Sequence, residues 1–355
     1  MPHTTAPAVV PVTTTAEVRA ALLARREIAL LDVREEAPFA EAHPLFAANL
    51  ALSRIELEAW RRIPRRDVPI VVYDDDNGRG EGLARRAAER LAGLGYTRVS
   101  LLDGGLAGWA AAGGELFRDV NVPSKAFGEL VEAERHTPSF SAQEVQALLD
   151  QQRAGKANMT ASWLAQMGWE VFVVDKLRGE DFTEAGPVPA QLPPVAEPRW
   201  VRPAQLAQWL AEPDGEHTVV LNVTPSASHV QRHIPGAWSA VRAQLPALLA
   251  RWPGVERLVL TCGSGLLARY AAADLNALDL AAEVCVLEGG NAGWVAAGLP
   301  TEAGAQRMAS GRIDRYRRPY EGTDNPAAAM QAHLDWEFGL VAQLGRDGTH
   351  GFFVL

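Results

Sequence analysis

The feature that most restricts what this chain can become is a repeat within it: one pattern occurs twice, the copies 185 to 190 residues apart. The first copy opens with "ALLDVREEAPFAEAH" (29–43) and the second with "VVLNVTPSASHVQRHIPGAW" (219–238). Each begins with an apolar strand and a polar pair two residues apart, Asp32 and Arg34 in one, Asn222 and Thr224 in the other. A histidine follows, His43 or His233, and all of these correspond at an offset of 190. Next come "VPIVVYDDDNGRGEGLARRAAERLAGLGYTRVSLLDGGLAGWAAAG" (68–113) and "RLVLTCGSGLLARYAAADLNALDLAAEVCVLEGGNAGWVAAG" (257–298). Both read as strand, loop, amphipathic helix, strand, then a glycine turn and an aromatic-bearing helix.

Strands that alternate with helices predict parallel sheets covered by helices on both faces, an α/β architecture. Each copy has the size of an ordinary domain of roughly 100 residues, which gives domains at 12–120 and 201–304. Between them, residues 136–183 open with a Ser141 cap and a short helix and then pass into "ASWLAQMGWEVFVVD", which matches the later helix and strand of the first copy. This is a partial third unit, too small to bury a doubly covered sheet by itself. Residues 184–200 are proline-rich and read as a stiff linker. Residues 305–355 form a tail with a basic, aromatic loop, a helix from about Pro326 to Leu344, and an apolar end, "GFFVL", that needs a docking surface. Such a tail could serve a homodimer interface as well as its own chain.

Composition narrows the function. A formal charge of −9 gives no electrostatic reason to expect nucleic acid or an anionic membrane as partner; the cluster "RYRRPY" (315–320) reads as a solvated face. No stretch approaches the roughly 20 apolar residues of a membrane span, and the start has no signal-peptide pattern, so a cytoplasmic location is expected. The two cysteines, Cys262 and Cys285, are too few for a disulfide framework or a cysteine zinc site. His333 and Glu337 stand four apart on one helical face, a metal-binding spacing without a third ligand nearby; neither metal nor cofactor is expected.

Cys262 falls at the carboxyl end of a parallel strand, before a helix, where open α/β sheets bind ligands. The following Gly263, Ser264 and Gly265, with Leu266 and Leu267, allow the backbone to curl so that N–H groups and the helix N-terminus converge near the sulfur. Donors so placed favour an anion and would raise the thiolate fraction. The bland reading is a buried, inert cysteine, which is the reading adopted for Cys285 inside the apolar strand "AEVCVLEGG".

With "LLDVREEAPFAEAH", "HIPGAW", "LTCGSGLLARYAA" and the pair "DGGLAGW" and "EGGNAGW", the chain resembles the rhodanese-like sulfurtransferases. The resemblance implies two rhodanese-like domains, each a parallel sheet of about five strands. It also implies that the loop cysteine takes a sulfane sulfur from a donor such as thiosulfate, holds it as a persulfide and passes it to a thiol or other thiophilic acceptor. By position Cys262 is the nucleophile and the backbone of residues 263–267 the anion cradle. The first copy has Asp74 at that place, followed by Asp75 and Asp76, in a loop about four residues longer; it has no sulfur to load.

Active loops of this family usually carry a basic side chain after the cysteine, which "GSGLL" lacks. Arg269 and Arg242 are the nearest candidates for positioning a substrate. Asn222 and Thr224 replace the usual Asp/Arg pair, so a persulfide donor stands beside thiosulfate. The oxyanion-clasping arginine of related phosphatases is absent: position 268 is alanine. His233 and His43 are expected to fix turns, Trp109 and Trp294 to pack helix starts. The competing reading is a non-catalytic interaction or regulatory protein built from degenerate rhodanese modules.

Overall fold

The computed structural model describes residues 10–75, 82–135, 156–172, 191–212, 217–278, 280–319, 321–322 and 325–355. Its frame is two parallel sheets of five strands each. The first contains β1 (Val12–Thr13), β2 (Ala29–Asp32), β3 (Ala48–Asn49), β4 (Ile70–Tyr73) and β5 (Val99–Leu102), ordered β1-β5-β4-β2-β3. The second repeats that order with β6 (Arg199–Val201), β7 (Thr218–Asn222), β8 (Trp238–Ser239), β9 (Arg257–Thr261) and β10 (Glu283–Leu287), as β6-β10-β9-β7-β8. Helices cover both faces of each sheet, as the alternation of elements predicts. β6 begins inside the stretch expected to be linker, because Arg199 pairs with Cys285 on β10 and closes that edge.

The central strands are apolar throughout because both of their faces are covered. Leu258, Val259 and Leu260 on β9 are all fully buried, each worth roughly 1.5–3 kcal/mol of hydrophobic stabilisation. Register then fixes the neighbours of the loops: Asn222 at the end of β7 lies beside Thr261 at the end of β9, and Asp32 beside Tyr73 in the first domain.

The domains meet through equivalent parts. The 3₁₀ turns Leu52–Arg54 and Arg242–Gln244, related by the 190-residue offset, face each other, with the Ala243 N–H donating to Ser53 Oγ at 3.1 Å. Val241 and Ala243 join the first domain's core. Segment 305–319 straps the two halves: Ala309 N–H bonds Ser239 O, Ala37 N–H bonds Ile313 O, and Asp314 accepts from the Ser226 N–H.

The tail docks on the first domain. Leu340, Leu344 and Phe352 pack with Leu45, Phe117, Val122 and Phe127, while Leu355 stays exposed. Its helix is not continuous as expected but divides into Pro326–Phe338 and Leu340–Asp347. At Gly339 the N–H bonds Trp336 O (3.0 Å), a three-residue step that ends the first helix. Of the partial middle unit, the expected first helix and the end of the strand lie outside the described residues. Its second helix, Lys156–Gln166, packs on helix Val122–Arg135, with Trp163 edge-on to Phe127, and on the tail, with Gln166 O accepting from Phe353 N–H. No helix among the described residues is long and apolar enough to cross a membrane.

Candidate active site

β9 runs through the middle of the second sheet and delivers Cys262 at its carboxyl end, 5% exposed. Gly263 and Ser264 lie at the surface above it. Gly265 then turns the chain with φ +87° and caps helix Leu266–Asn276, a conformation that side chains resist. The first intrahelical bond runs from Arg269 N–H to Gly265 O, so the N–H groups of Leu266, Leu267 and Ala268 have no acceptor within the helix. The loop is held from behind by helix Gly290–Ala296: Asn291 N–H bonds Cys262 O (2.8 Å) and Ala292 N–H bonds Gly263 O (3.0 Å). A Cβ at Gly290 would stand 2.3 Å from Cys262 O. The second glycine of "EGG" is therefore the one that lets the two backbones meet.

A chain of neutral polar side chains underlies the loop. Thr261 Oγ1 donates to Asn291 Oδ1 (2.9 Å), Asn291 Nδ2 to Asn222 Oδ1 (3.3 Å), and Asn222 Nδ2 to His229 Nδ1 (3.1 Å). Asn222 Oδ1 also accepts from the Thr224 N–H (3.1 Å). His229 is fully buried, and burial beside the His233 ring pushes its imidazole down to about 4. It is thus neutral, with the proton on Nε2, which has no partner among the described residues. Sequence reasoning overlooked His229, although the repeat contained the signal: position 39 is Phe in the first copy. The two rings even stack alike, Phe39 on His43 at 4.0 Å and His229 on His233 at 3.8 Å. His233 fixes its turn, with Nδ1 against His229 O and Nε2 against Glu302; His43 likewise contacts the Asp119 and Pro44 carbonyls.

The first domain has the same scaffold with different contents. Leu106 N–H bonds Asp74 O and Ala107 N–H bonds Asp75 O, which aligns Asp74 with Cys262 and Asp75 with Gly263. The Asp74 carboxylate turns inward and accepts from Ala84 N–H in the first turn of helix Leu83–Gly93 (2.9 Å). Arg34 is buried against Asp32 and extends Nη1 to Asp75 (2.7 Å) and Nη2 to Ala42 O (2.7 Å). A carboxylate takes the place of the thiol, and Arg34, Asp74 and Asp75 line a space of about 360 Å³. Asp76 lies outside the described residues.

Arg242, one of two candidates for positioning a substrate, is instead buried in the domain interface. Its guanidinium binds Glu56 (2.6 Å) and Asp274 (2.9 Å), and Arg90 joins the same carboxylates. Arg269 turns away from the loop toward Glu197 (3.5 Å) and Trp200. Cys285 is fully buried in β10, and burial pushes its thiol up. His333 and Glu337 do come together, but around the Lys125 ammonium at 2.9 and 3.1 Å, which takes the place a cation would need. Among the described residues no group of three metal-ligating side chains converges. Trp109 and Trp294 pack in the cores, as expected.

The model of the rhodanese-like domain matches this sequence twice, at residues 14–112 and 203–297. The chain belongs to the rhodanese-like family of sulfurtransferases. The crystal structure of a thiosulfate sulfurtransferase from Pseudomonas aeruginosa is 42% identical, covers 98% of this chain and 100% of that one, and superposes with a TM-score of 0.87. The putative thiosulfate sulfurtransferase SseB of Mycobacterium tuberculosis is 48% identical over 52 residues, a match that spans 15% of this chain and 17% of that protein. The likeness to the Pseudomonas structure runs through the tail and both domains, so the tandem arrangement is shared as a whole.

Proposed function

We propose that this rhodanese-like protein moves sulfane sulfur through a persulfide on Cys262, and that its first domain does no sulfur chemistry. The observation that carries this reading is the pair of equivalent sites. Where the first domain seats the Asp74 carboxylate on a helix-start N–H, the second has a thiol at the aligned position, ahead of a helix whose first three N–H groups have no acceptor within it. A position built to receive a carboxylate suits a thiolate, a persulfide anion or the oxygens of a donor equally well.

The chemistry is a double displacement. The Cys262 thiolate attacks the outer sulfur of thiosulfate or of a persulfide; the donor's sulfur–sulfur bond breaks and sulfite, or a thiolate, leaves with the electron pair. An acceptor thiolate then attacks the outer sulfur of the protonated Cys262 persulfide. The new sulfur–sulfur bond forms on the acceptor, which leaves as a persulfide, and Cys262 departs as thiolate. Backbone donors hold the negative charge in both steps, without help from Arg242 or Arg269.

Mass spectrometry after incubation with thiosulfate or a small persulfide tests the reading. One added sulfur is expected on the peptide that contains Cys262, none on that with Cys285, and Cys262→Ser should abolish transfer while Cys285→Ser retains it. Activity surviving in Cys262→Ser would overturn the assignment, and no gain from any donor would favour a non-catalytic module.

A further inference from the structure

The loop lacks a cation, yet a pocket of about 540 Å³ begins one residue from Cys262. Thr224, Ser228, Arg232, Gly263, Asn291 and Trp294 are among the residues that line it. Arg232 is the one fully charged side chain in the lining; it is exposed and makes no ion pair with a described residue.

The first domain explains how this space arose. There, Arg34 reaches across from the end of β2 to Asp75, and its other nitrogen to the carbonyl of Ala42. The equivalent residues in the second domain are Thr224, Gly263 and Arg232. The side chains that span the first site are cut back to a short hydroxyl and to nothing, and a Cβ added at Gly263 would meet no atom within 4 Å. A cation has meanwhile appeared at 232, where the first domain has alanine. The carboxylate that Asp75 supplies internally, and the guanidinium that receives it, have thus been exchanged for open space and an external guanidinium.

Resting on the sulfur-transfer reading above, we propose that this pocket is the acceptor subsite and takes a small organic thiol bearing a carboxylate. Its anionic group pairs with Arg232 and its thiolate approaches the outer sulfur of the Cys262 persulfide. The pocket lies within the size range of small-molecule sites and is far larger than thiosulfate fills. A lining that combines Ser228 and Arg232 with the apolar Ile234 and Val295 suits a carbon chain with one charged end. In the transfer step the acceptor thiolate bonds to the outer sulfur, the bond to Cys262 breaks, and Cys262 leaves as thiolate, so Arg232 takes no part in bond making and sets specificity alone.

The test uses two acceptors of similar size and opposite charge, 3-mercaptopropionate and cysteamine, with the full chain pre-loaded with sulfur. Wild type is expected to prefer 3-mercaptopropionate in kcat/KM. Arg232→Gln should reduce that preference roughly tenfold, the value of one charge-assisted hydrogen bond, chiefly through KM, and Arg232→Glu should reverse it. A second arm needs no sulfur chemistry: calorimetric titration of 3-mercaptopropionate into Cys262→Ser should detect binding that Arg232→Gln weakens to a similar extent. An acceptor preference unchanged in both Arg232 variants, or binding indifferent to Arg232, would overturn the assignment. If wild type never loads sulfur, the sulfur-transfer reading fails separately, and the calorimetric arm still judges the pocket.

Discussion

Asn222 carries the structural load beneath the catalytic loop that a buried ion pair carries in the first domain, and Asn222→Leu measures it. The substitution keeps the branched side-chain shape while it removes three hydrogen bonds, to Thr224 N–H, Asn291 Nδ2 and His229 Nδ1. The Thr224 amide is only partly buried and can turn to water. The Asn291 amide is likewise part-buried, whereas the fully buried His229 nitrogen loses its partner outright. At about 1–3 kcal/mol for a buried group left unsatisfied, the second domain should lose roughly 2 kcal/mol in denaturant unfolding.

The loop itself should respond as well. Its main-chain anchors from Asn291 and Ala292 remain, but the side chain that orients Asn291 through Thr261 and Asn222 is released. A displacement of the thiol by a fraction of an ångström costs transfer about tenfold or more, and alkylation of Cys262 by iodoacetamide should change rate in parallel. If Asn222→Leu loses the expected stability while sulfur transfer and alkylation stay at wild-type rates, the amide chain is core packing only, and the idea that it positions the loop is wrong.

Two further outcomes follow from the domain interface. Arg242→Ala leaves Glu56 and Asp274 facing each other with only Arg90 between them, so a loss of about 3 kcal/mol and a splitting of thermal unfolding into two transitions are expected by calorimetry. Arg242→Lys should leave KM for donor and acceptor unchanged, since the side chain does not reach the loop. Glu35 is buried between the domains, and desolvation pushes its carboxyl from the ordinary 4.5 up to about 7. Between those values the folded chain holds a proton that the unfolded chain has lost, so stability falls as pH rises from about 5 to 7. Glu35→Gln should remove this decline and be more stable at pH 8 by on the order of 3 kcal/mol. His229, pushed down to about 4, acts in the opposite sense below pH 6.5. The difference between Glu35→Gln and wild type across pH, not the wild-type curve alone, is therefore the measurement that decides.

The fold was legible because the repeat doubled every signal: each apolar run that could be a buried helix or a strand occurs twice in the same order around the same glycine turns. The place of Cys262 followed from one strand and one Gly-Ser-Gly turn. What the sequence concealed was long-range. Arg242 and Arg269 are near the loop in number but their guanidinium groups go to Glu56 on the first domain, to Asp274 and to Glu197, partners 186, 32 and 72 residues away that leave no local pattern. His333 and Glu337 have metal spacing, yet Lys125, some 200 residues earlier, fills the gap between them. His229 and Arg232 were overlooked for a different reason. Both are visible when the copies are compared position by position, as Phe39 against His and Ala42 against Arg, but each looks unremarkable until the space around Thr224 is known.

Those substitutions make sense only together. In the first domain a buried guanidinium needs carboxylates, and Asp32 and Asp75 supply them, while Asp74 satisfies the helix start; three carboxylates against one guanidinium leave a surplus of negative charge that repels an anionic donor. In the second domain the interior is neutral throughout, from Thr261 to His229, so no buried charge demands a partner from within. The helix-start N–H groups that follow the loop and the Arg232 guanidinium in the pocket lining are then the unmatched positive features among the described residues. One scaffold thus holds its cation inside the first site, paired with carboxylates, and carries it in the second among the residues that line the pocket. Because the members of each set touch one another, their effects are coupled rather than additive, and replacing Asp74 by cysteine would set a thiol against Asp75 and the Arg34 bridge without clearing the room that sulfur exchange needs.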